Sequence, residues 1–395
     1  MRILVISFYF RPDLSAGSFR ATALVSALQA RVPAGSQIDV FTTLPNRYHS
    51  FTADAPSMEE QDGLRISRIA IPKHRGGMLD QSNAYIRYFF NVLARTAGRQ
   101  YDIVFVTSGR LMSTVLGALI SRRKNTRLYL DIRDIFVDTI KDVLPRKVAW
   151  ALTPIFSVLE GWAIRRADKV NLVSAGFAEY FRARYPLRRF SYFTNGIDDE
   201  FMAAAPNESS AAPGGANKLP LTVVYAGNLG EGQGLHAIIP GLAKAMESRV
   251  RFKIIGDGAR RRALEASIAE YGVTNVEVLL PVNRAALLSA YRSSDVLFLH
   301  LNDYDAFKKV LPSKVFEYAA LGKPVWAGVA GYAAKFVASE ISNSAVFHPC
   351  DVAGAVRAFD TLEIKDAPRR DFLEKYARAG ISMAMAEDIL SVART

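Results

Sequence analysis

LPSKVFEYAALGKPVWAG, residues 311–328, holds the start of a helix, its end and the strand that follows. Pro312 and Ser313 stop the preceding segment, and Ser313 is a residue type that caps a helix with its side-chain oxygen. Gly322 supplies the stop near Leu321, and PVWAG returns as an apolar strand. The apolar run VLFLHL (296–301) precedes this segment and AVFHP (345–349) follows it, so it is one step of a β–α–β alternation.

The alternation extends in both directions. Upstream in the same half lie LTVVYAG (221–227), RFKIIGD (251–257) and VEVLL (276–280). The first half carries ILVISFYF (3–10), IDVFTT (38–43), LRISRIAI (64–71), DIVFVTS (102–108), RLYLDIR (127–133), KVNLVS (169–174) and FSYFTN (190–195). Continuous apolar runs, rather than alternating ones, suit strands covered by helices on both faces, as in parallel sheets. The expected fold class is therefore α/β, with two doubly wound Rossmann-like domains facing a central cleft. Between them, AAAPNESSAAPGGANKLP (203–220) is dense in Ala, Pro, Gly, Ser and Asn and has no periodicity. This places an N-terminal domain at 1–202, a linker at 203–220, a second domain at 221–376 and a closing helix at 377–395, with a crossing back to the first domain as one option for that helix.

Composition narrows the function. A single cysteine, Cys350, excludes a disulfide framework and a cysteine-rich zinc site, and the five histidines show no HExxH spacing. These features point to a reducing, cytoplasmic setting. The N-terminal MRILVISFYFRPDL reads as a first buried strand, not a signal peptide, because no small-residue cleavage site follows. No uncharged run reaches the roughly 20 residues that span a bilayer. The nearest, Val148 to Ile164, is interrupted by Pro154 and Glu160, and reads either as a buried helix or as one that dips into a membrane. Charge is uneven: residues 1–190 carry 28 Lys and Arg against 15 Asp and Glu, and residues 191–395 carry 22 against 23. An excess of +13 confined to one half calls for an anionic partner there, either nucleic acid or an anionic membrane surface. SNAYIRYFFNVLARTAGR (82–99), with Arg87, Arg95 and Arg99, is either a basic amphipathic helix for a bilayer or a core helix with snorkelling arginines.

In the 311–328 segment, Lys314 falls in a first helical turn, where the helix dipole disfavours a cation unless an anion covers it. Glu317 lies one turn on, on the same face. The pair reads equally as a surface Lys–Glu contact or as a diphosphate on Lys314 with ribose hydroxyls on Glu317. Asp303 and Asp305 in NDYD form a weak DxD-like metal signal, and IIGDG (254–258) lacks the third glycine of a dinucleotide fingerprint, Arg261 taking its place.

The segment strongly resembles the sugar-nucleotide site of family 4 retaining glycosyltransferases, which have the GT-B fold, and is most like the bacterial branch that makes exopolysaccharide and O-antigen. Members of that branch carry a PSKxFEYxAxGKP run. Further family-like features are FYFRPDLSAGSFR (8–20), LDIRDIF (130–136), RRADKVNLVS (165–174), FTNGID (193–198), VVYAGNLGEGQG (223–234) and FKIIGDG (252–258), in the expected order. The resemblance implies that Glu317 binds the donor ribose, and that Gly227 and Asn228 form the turn whose amides approach the diphosphate. It implies that Gly17 sits in the first βα loop, ahead of a helix beginning near Ser18, and admits the donor phosphates. Ser313 and Lys314 complete the nucleotide-sugar site, with Lys314 the leading candidate to stabilise the leaving nucleotide diphosphate. Asp134, just past RLYLDIR, is the candidate catalytic residue, positioning or deprotonating the acceptor hydroxyl; as a structural residue it would instead cap the next segment. Asp131, on the other side of the strand, is expected not to share that role, and Asn195 and Asp198 to shape the crossing between domains.

Two departures matter. The family's second glutamate would stand at position 309, where this chain has Lys309, which leaves the donor sugar open. The usual Arg and Lys after strand 223–227 are replaced by Asn228 and Gln233. The resemblance implies a hexosyl- or acetamidohexosyltransferase that uses a UDP-linked donor, needs no metal or other cofactor, and acts on a glycan or polyprenyl-linked acceptor at the inner membrane face. No nucleic acid is expected as a partner. The alternatives are a GT-B UDP-sugar epimerase or hydrolase that needs no acceptor, and a non-catalytic nucleic-acid-binding protein.

Overall fold

A computed structural model describes residues 1–45, 54–72, 78–143, 146–206 and 219–394. The chain divides into two compact units, Met1–Asn195 with Arg378–Thr395, and Gly196–Ala377. The division falls at Asn195, ahead of the Ala/Pro/Gly-rich stretch, most of which (207–218) lies outside the described residues.

The first unit is built on eight strands: β1 (Arg2–Ser7), β2 (Gln37–Thr43), β3 (Met58–Gln61), β4 (Leu64–Ile69), β5 (Ile103–Ser108), β6 (Arg127–Ile132), β7 (Lys169–Leu172) and β8 (Phe190–Ser191). Their order is β3-β4-β2-β1-β5-β6-β7-β8, parallel except for β3, which runs antiparallel to β4. Strand order reverses between β1 and β5, the position where doubly wound sheets bind ligands at their carboxyl ends. Right-handed crossovers put the helices 78–96, 111–124 and 146–166 on one face, with 111–124 packed against both of the others. Helix 16–31 and the closing helix 378–394 pack together on the opposite face. There Met385, Ala386, Ile389 and Leu390 join Leu24, Leu28, Val5 and Phe105 in one core.

The second unit has six parallel strands: β9 (Leu221–Asn228), β10 (Val250–Asp257), β11 (Val276–Leu279), β12 (Val296–His300), β13 (Val325–Gly328) and β14 (Ser344–Phe347). The order β11-β10-β9-β12-β13-β14 reverses between β9 and β12. Trp326, Phe252, Phe298 and Phe347 fill the core on one side of this sheet. Ile197 bridges Ala377, so the segment entering this unit pairs with the one leaving it. The two doubly wound α/β sheets expected from the sequence are both present.

Candidate functional site

In the second unit the ends of β9 and β12 open the switch point, and the chain from 311 to 321 lies beside them. Helix Lys314–Ala320 buries Val315, Phe316, Tyr318, Ala319 and Ala320, leaving Lys314 and Glu317 partly open. Its start differs from expectation: Ser313 is already in helical conformation (φ −60°, ψ −27°), and its side chain caps nothing. A capping residue needs extended backbone to turn its oxygen back towards the N–H groups, which Ser313 does not have. Gly322 does end the helix, at φ +68°.

Lys314 reaches across to β9. A Cβ on Gly227 would stand 2.1 Å from the lysine Nζ and 2.2 Å from Cε, and Gly227 has φ +149°, a conformation that side chains disfavour. The ammonium lies 5.8 Å from the Tyr225 ring centre, while the Tyr225 hydroxyl donates to the Asn228 carbonyl at 2.8 Å. Asn228 donates from Nδ2 to Gln233 Oε1 (2.9 Å), which also accepts from the Gly230 N–H (3.2 Å). The two residues standing where the family carries cations therefore fold the loop with their side chains. At the neighbouring strand end, a Cβ on Gly256 would meet the Gly227 carbonyl oxygen at 1.8 Å. Arg261, in place of the fingerprint's third glycine, donates to the carbonyls of Gly256 (2.9 Å) and Leu279 (3.2 Å) and ties down the ends of β10 and β11.

Several partners of this site were not legible beforehand. The partly buried Arg284 donates to Asp198 Oδ2 at 2.8 Å, pairs with Glu200 and feels the charge of Glu317. Burial opposes its charge, but Asp198 and Glu317 together raise its pKa. Its one sequence signal is position, because Asn283, the N-cap of the following helix, comes just after a strand. Asp198 thus belongs to an ion pair inside this unit, while Asn195 ends the first segment of the other unit. The loop 231–233 is braced by Glu231, which pairs with Arg260 and accepts from the Tyr304 hydroxyl at 2.5 Å; the Tyr304 bond leads in lowering its pKa. His300 accepts at Nε2 from the Cys350 N–H (3.0 Å), so its proton sits on Nδ1 and is donated to the Gln233 carbonyl at 2.7 Å. Burial lowers its pKa to about 4, which keeps it neutral. Asp305 is paired with Lys308, and among the described residues no three His, Cys, Asp or Glu side chains gather as a metal site requires. Lys309 lies in the short turn Phe307–Lys309.

In the first unit the helix after β1 begins at Ala16, with Ser15 as its N-cap accepting from the Ser18 N–H at 3.2 Å. Gly17 is thus in the first helical turn instead of the preceding loop. It makes room for an arginine: a Cβ there would lie 2.2 Å from Arg133 Nη1. Asp134 follows Arg133, accepts from the Thr139 hydroxyl at 3.2 Å and from the Ile135 N–H, and is held above the usual carboxylate range by burial. It borders a cavity of about 20 Å³, room for about one water, together with Ser108, Arg110, Phe136 and Glu160. Glu160 is buried and accepts from the hydroxyls of Tyr180 (3.1 Å) and Tyr185 (2.9 Å); burial raises its pKa too. Asp131 faces elsewhere. Arg20 grips its carboxylate with bonds of 2.8 and 2.9 Å, and Thr107 and Asn171 donate to it at 3.0 and 2.8 Å. Burial alone would raise the Asp131 pKa, but Arg20 and Asn171 bring it below the ordinary value.

Residues 17–196 match the family model "Glycosyl transferase 4-like domain" and residues 207–380 match "Glycosyl transferases group 1". The two lie in consecutive halves and together span well over half of the chain. The chain belongs to the GT-B glycosyltransferases. This glycosyltransferase is 29% identical over 100 residues to WcaI of Escherichia coli (strain K12), described as a glycosyl transferase of colanic acid biosynthesis. That match covers 25% of this chain and 24% of WcaI, so it spans about a quarter of the curated relative's length. Among solved structures, sucrose-phosphate synthase from Thermosynechococcus elongatus superposes with a TM-score of 0.69 at 15% identity, covering 100% of this chain and 96% of that one. Anabaena HepE in complex with UDP-glucose gives 0.63 at 18%, covering 100% and 97%, and WaaG, a glycosyltransferase involved in lipopolysaccharide biosynthesis, gives 0.61 at 14%, covering 100% and 95%. At these identities the structures speak to the fold.

Proposed function

We propose that this GT-B glycosyltransferase moves a hexosyl or acetamidohexosyl unit, with retention, from a UDP-sugar to a lipid-linked or growing glycan acceptor. The setting is the inner membrane face, in the synthesis of a cell-surface polysaccharide. The observation that carries the reading is the Lys314 ammonium lying against the side-chain-free backbone of Gly227 at the switch point of β9 and β12. A cation and an open backbone meet where a diphosphate would sit, and Glu317, the other open residue of that helix, is an acceptor for vicinal ribose hydroxyls. HepE has been solved with UDP and with UDP-glucose, which supports a UDP donor. WcaI and WaaG, described for colanic acid and lipopolysaccharide, support the polysaccharide setting.

In the reaction, the bond from the anomeric carbon to the diphosphate oxygen breaks and a bond to the acceptor oxygen forms on the same face. The acceptor proton passes to the departing phosphate oxygen. Lys314 answers the charge that develops on the leaving group without a metal ion. Asp134 accepts a hydrogen bond from the acceptor hydroxyl and orients it, while the proton itself goes to the phosphate oxygen.

Calorimetric titration with UDP and GDP, with and without EDTA, tests the donor site. UDP should bind and EDTA should change nothing. Glu317→Ala should weaken UDP binding by about 1–3 kcal/mol, the scale of lost charged hydrogen bonds. Unchanged affinity for both nucleotides in that variant refutes this site.

A further inference from the structure

Three helices of the first unit share one face of its sheet, and the outer two bare apolar side chains where a soluble surface is normally polar. On helix Arg146–Arg166, Trp150 is 82% exposed, Val158 66% and Ile155 56%. Exposed Ala151 and Pro154 continue the same side, since positions four apart stack along a helix. Lys147 and Arg165, both exposed, lie at the two ends of this stripe and on its side of the helix. On helix Met78–Thr96, Phe90 is 63% and Ile86 53% exposed, with exposed Arg87 and Arg95 beside them. The helix between the two, Leu111–Lys124, presents Arg122 and Arg123.

Charge decides what this face fits. Among the described side chains of the three helices, the one carboxylate is Glu160, which is buried and satisfied by two tyrosine hydroxyls. Arg87, Arg95, Arg122, Arg123, Lys147 and Arg165 have no carboxylate partner among the described residues. Asp138, on helix Phe136–Val143 that packs on 146–166, is half-buried, and Asp168, just past helix 146–166, is taken up by Arg127 and Arg166. An exposed tryptophan and aliphatic stripe, with cations at its ends and alongside, is the pattern of a helix lying in the headgroup region of an anionic bilayer. A partner protein or a second copy would have to offer an apolar surface fringed with acids. This chain's own face is basic and repels a copy of itself. Among the described residues no helix is long and apolar enough to cross a membrane, so the contact is one of lying on the surface.

We infer that the outer face of helices 78–96, 111–124 and 146–166 docks on an anionic lipid bilayer, with Trp150, Ile155, Val158 and Phe90 inserted among the headgroups. This deepens the membrane setting proposed above and rests on it, but it does not depend on which sugar is transferred. The reading takes up the second alternative drawn for Val148–Ile164 for one side of the helix only, since its other side is buried.

The test is sedimentation of the full chain with vesicles of phosphatidylglycerol and phosphatidylcholine, or of phosphatidylcholine alone. Wild type should bind the anionic vesicles, at least tenfold more tightly than the neutral ones, and salt should weaken the binding. Trp150 emission should shift to the blue on binding, and Trp150→Phe should remove most of that shift. Trp150→Glu and the double variant Ile155→Glu/Val158→Glu sit at the surface and leave the fold intact. Each should cut the partition coefficient at least tenfold while UDP binding stays unchanged. Wild-type-like vesicle binding by both variants overturns the assignment of this face and leaves a membrane setting standing. Failure of wild type to bind anionic vesicles, with UDP still bound, overturns the face and the membrane setting but not the donor site. A dimer that Trp150→Glu dissolves makes the face a contact between copies and overturns the inference.

Discussion

Gly227 and Lys314 occupy one another's space, and this gives the donor site its sharpest residue-scale consequence. Alanine at 227 must displace the lysine side chain and also hold a backbone at φ +149°. Gly227→Ala and Lys314→Ala should each lower UDP affinity, and the double variant should lose little beyond the worse single one, because both remove the same arrangement. Calorimetry of the four proteins reads the cycle, and full additivity would show that the two act separately. At Asp134 the sign of the pKa shift makes a different prediction. Burial raises its pKa, so the charged form costs stability in the folded protein. That cost is absent below the unfolded value of about 3.9, grows as pH rises from there towards the folded value, and is constant above it. Asp134→Asn should therefore melt higher than wild type at neutral pH and lose this advantage as the pH approaches 4, while retaining UDP and losing turnover. A variant that is destabilised and loses UDP binding as well would make Asp134 a structural residue.

At the scale of elements, the buried Arg20–Asp131 pair joins helix 16–31 to β6. Arg20 also donates to the carbonyls of Phe193 and Thr194, just before the chain leaves the first unit. Asp131→Ala leaves an arginine buried without its counter-ion and should cost about 3–5 kcal/mol, whereas replacing both partners with apolar residues of similar volume should recover much of the loss. Urea denaturation of the single and double variants measures this. The same neighbourhood shows why some elements were illegible. FSYFTN reads as a full strand, but β8 is only Phe190–Ser191, because the Asn171 side chain takes the Phe193 N–H (2.6 Å) and donates to its carbonyl (3.0 Å) in place of a ladder. The strand MEEQ (58–61) escaped notice because it is an antiparallel edge strand open to solvent and carries no apolar run. The buried parallel strands were legible because both of their faces are covered, so hydrophobicity alone marks them. Of the candidate site, the spacing of one helix left Lys314 and Glu317 equally readable as a surface pair, and the family resemblance singled out Glu317 and Gly227. Arg284 and Arg133 were singled out by neither, because a surface arginine and one held by a fold look alike in sequence.

Over the whole molecule, the second unit is one continuous stretch, Gly196–Ala377, while the first is assembled from both ends of the chain. The closing helix Arg378–Arg394 covers the apolar side of helix 16–31 with Met385, Ala386, Ile389 and Leu390, all buried. It also supplies Asp388, which pairs with Lys169 and accepts from the hydroxyls of Tyr129 (2.7 Å) and Ser191 (2.9 Å). Ending the chain at Ala377 therefore strips a core face and a polar hub from the first unit while leaving every side chain of the Lys314–Gly227 site in place. Fully burying one large aliphatic side chain is worth about 1.5–3 kcal/mol, so losing several exceeds the margin by which most domains are stable. The shortened protein should show the first unit molten or unfolded, with loss of near-ultraviolet dichroism and protease cleavage confined to residues 1–195. UDP should still protect and raise the melting of the second unit, by mass action on the folded site. If UDP protection disappears with the closing helix, the donor site depends on the first unit and the assignment of nucleotide binding to Gly196–Ala377 alone must be given up.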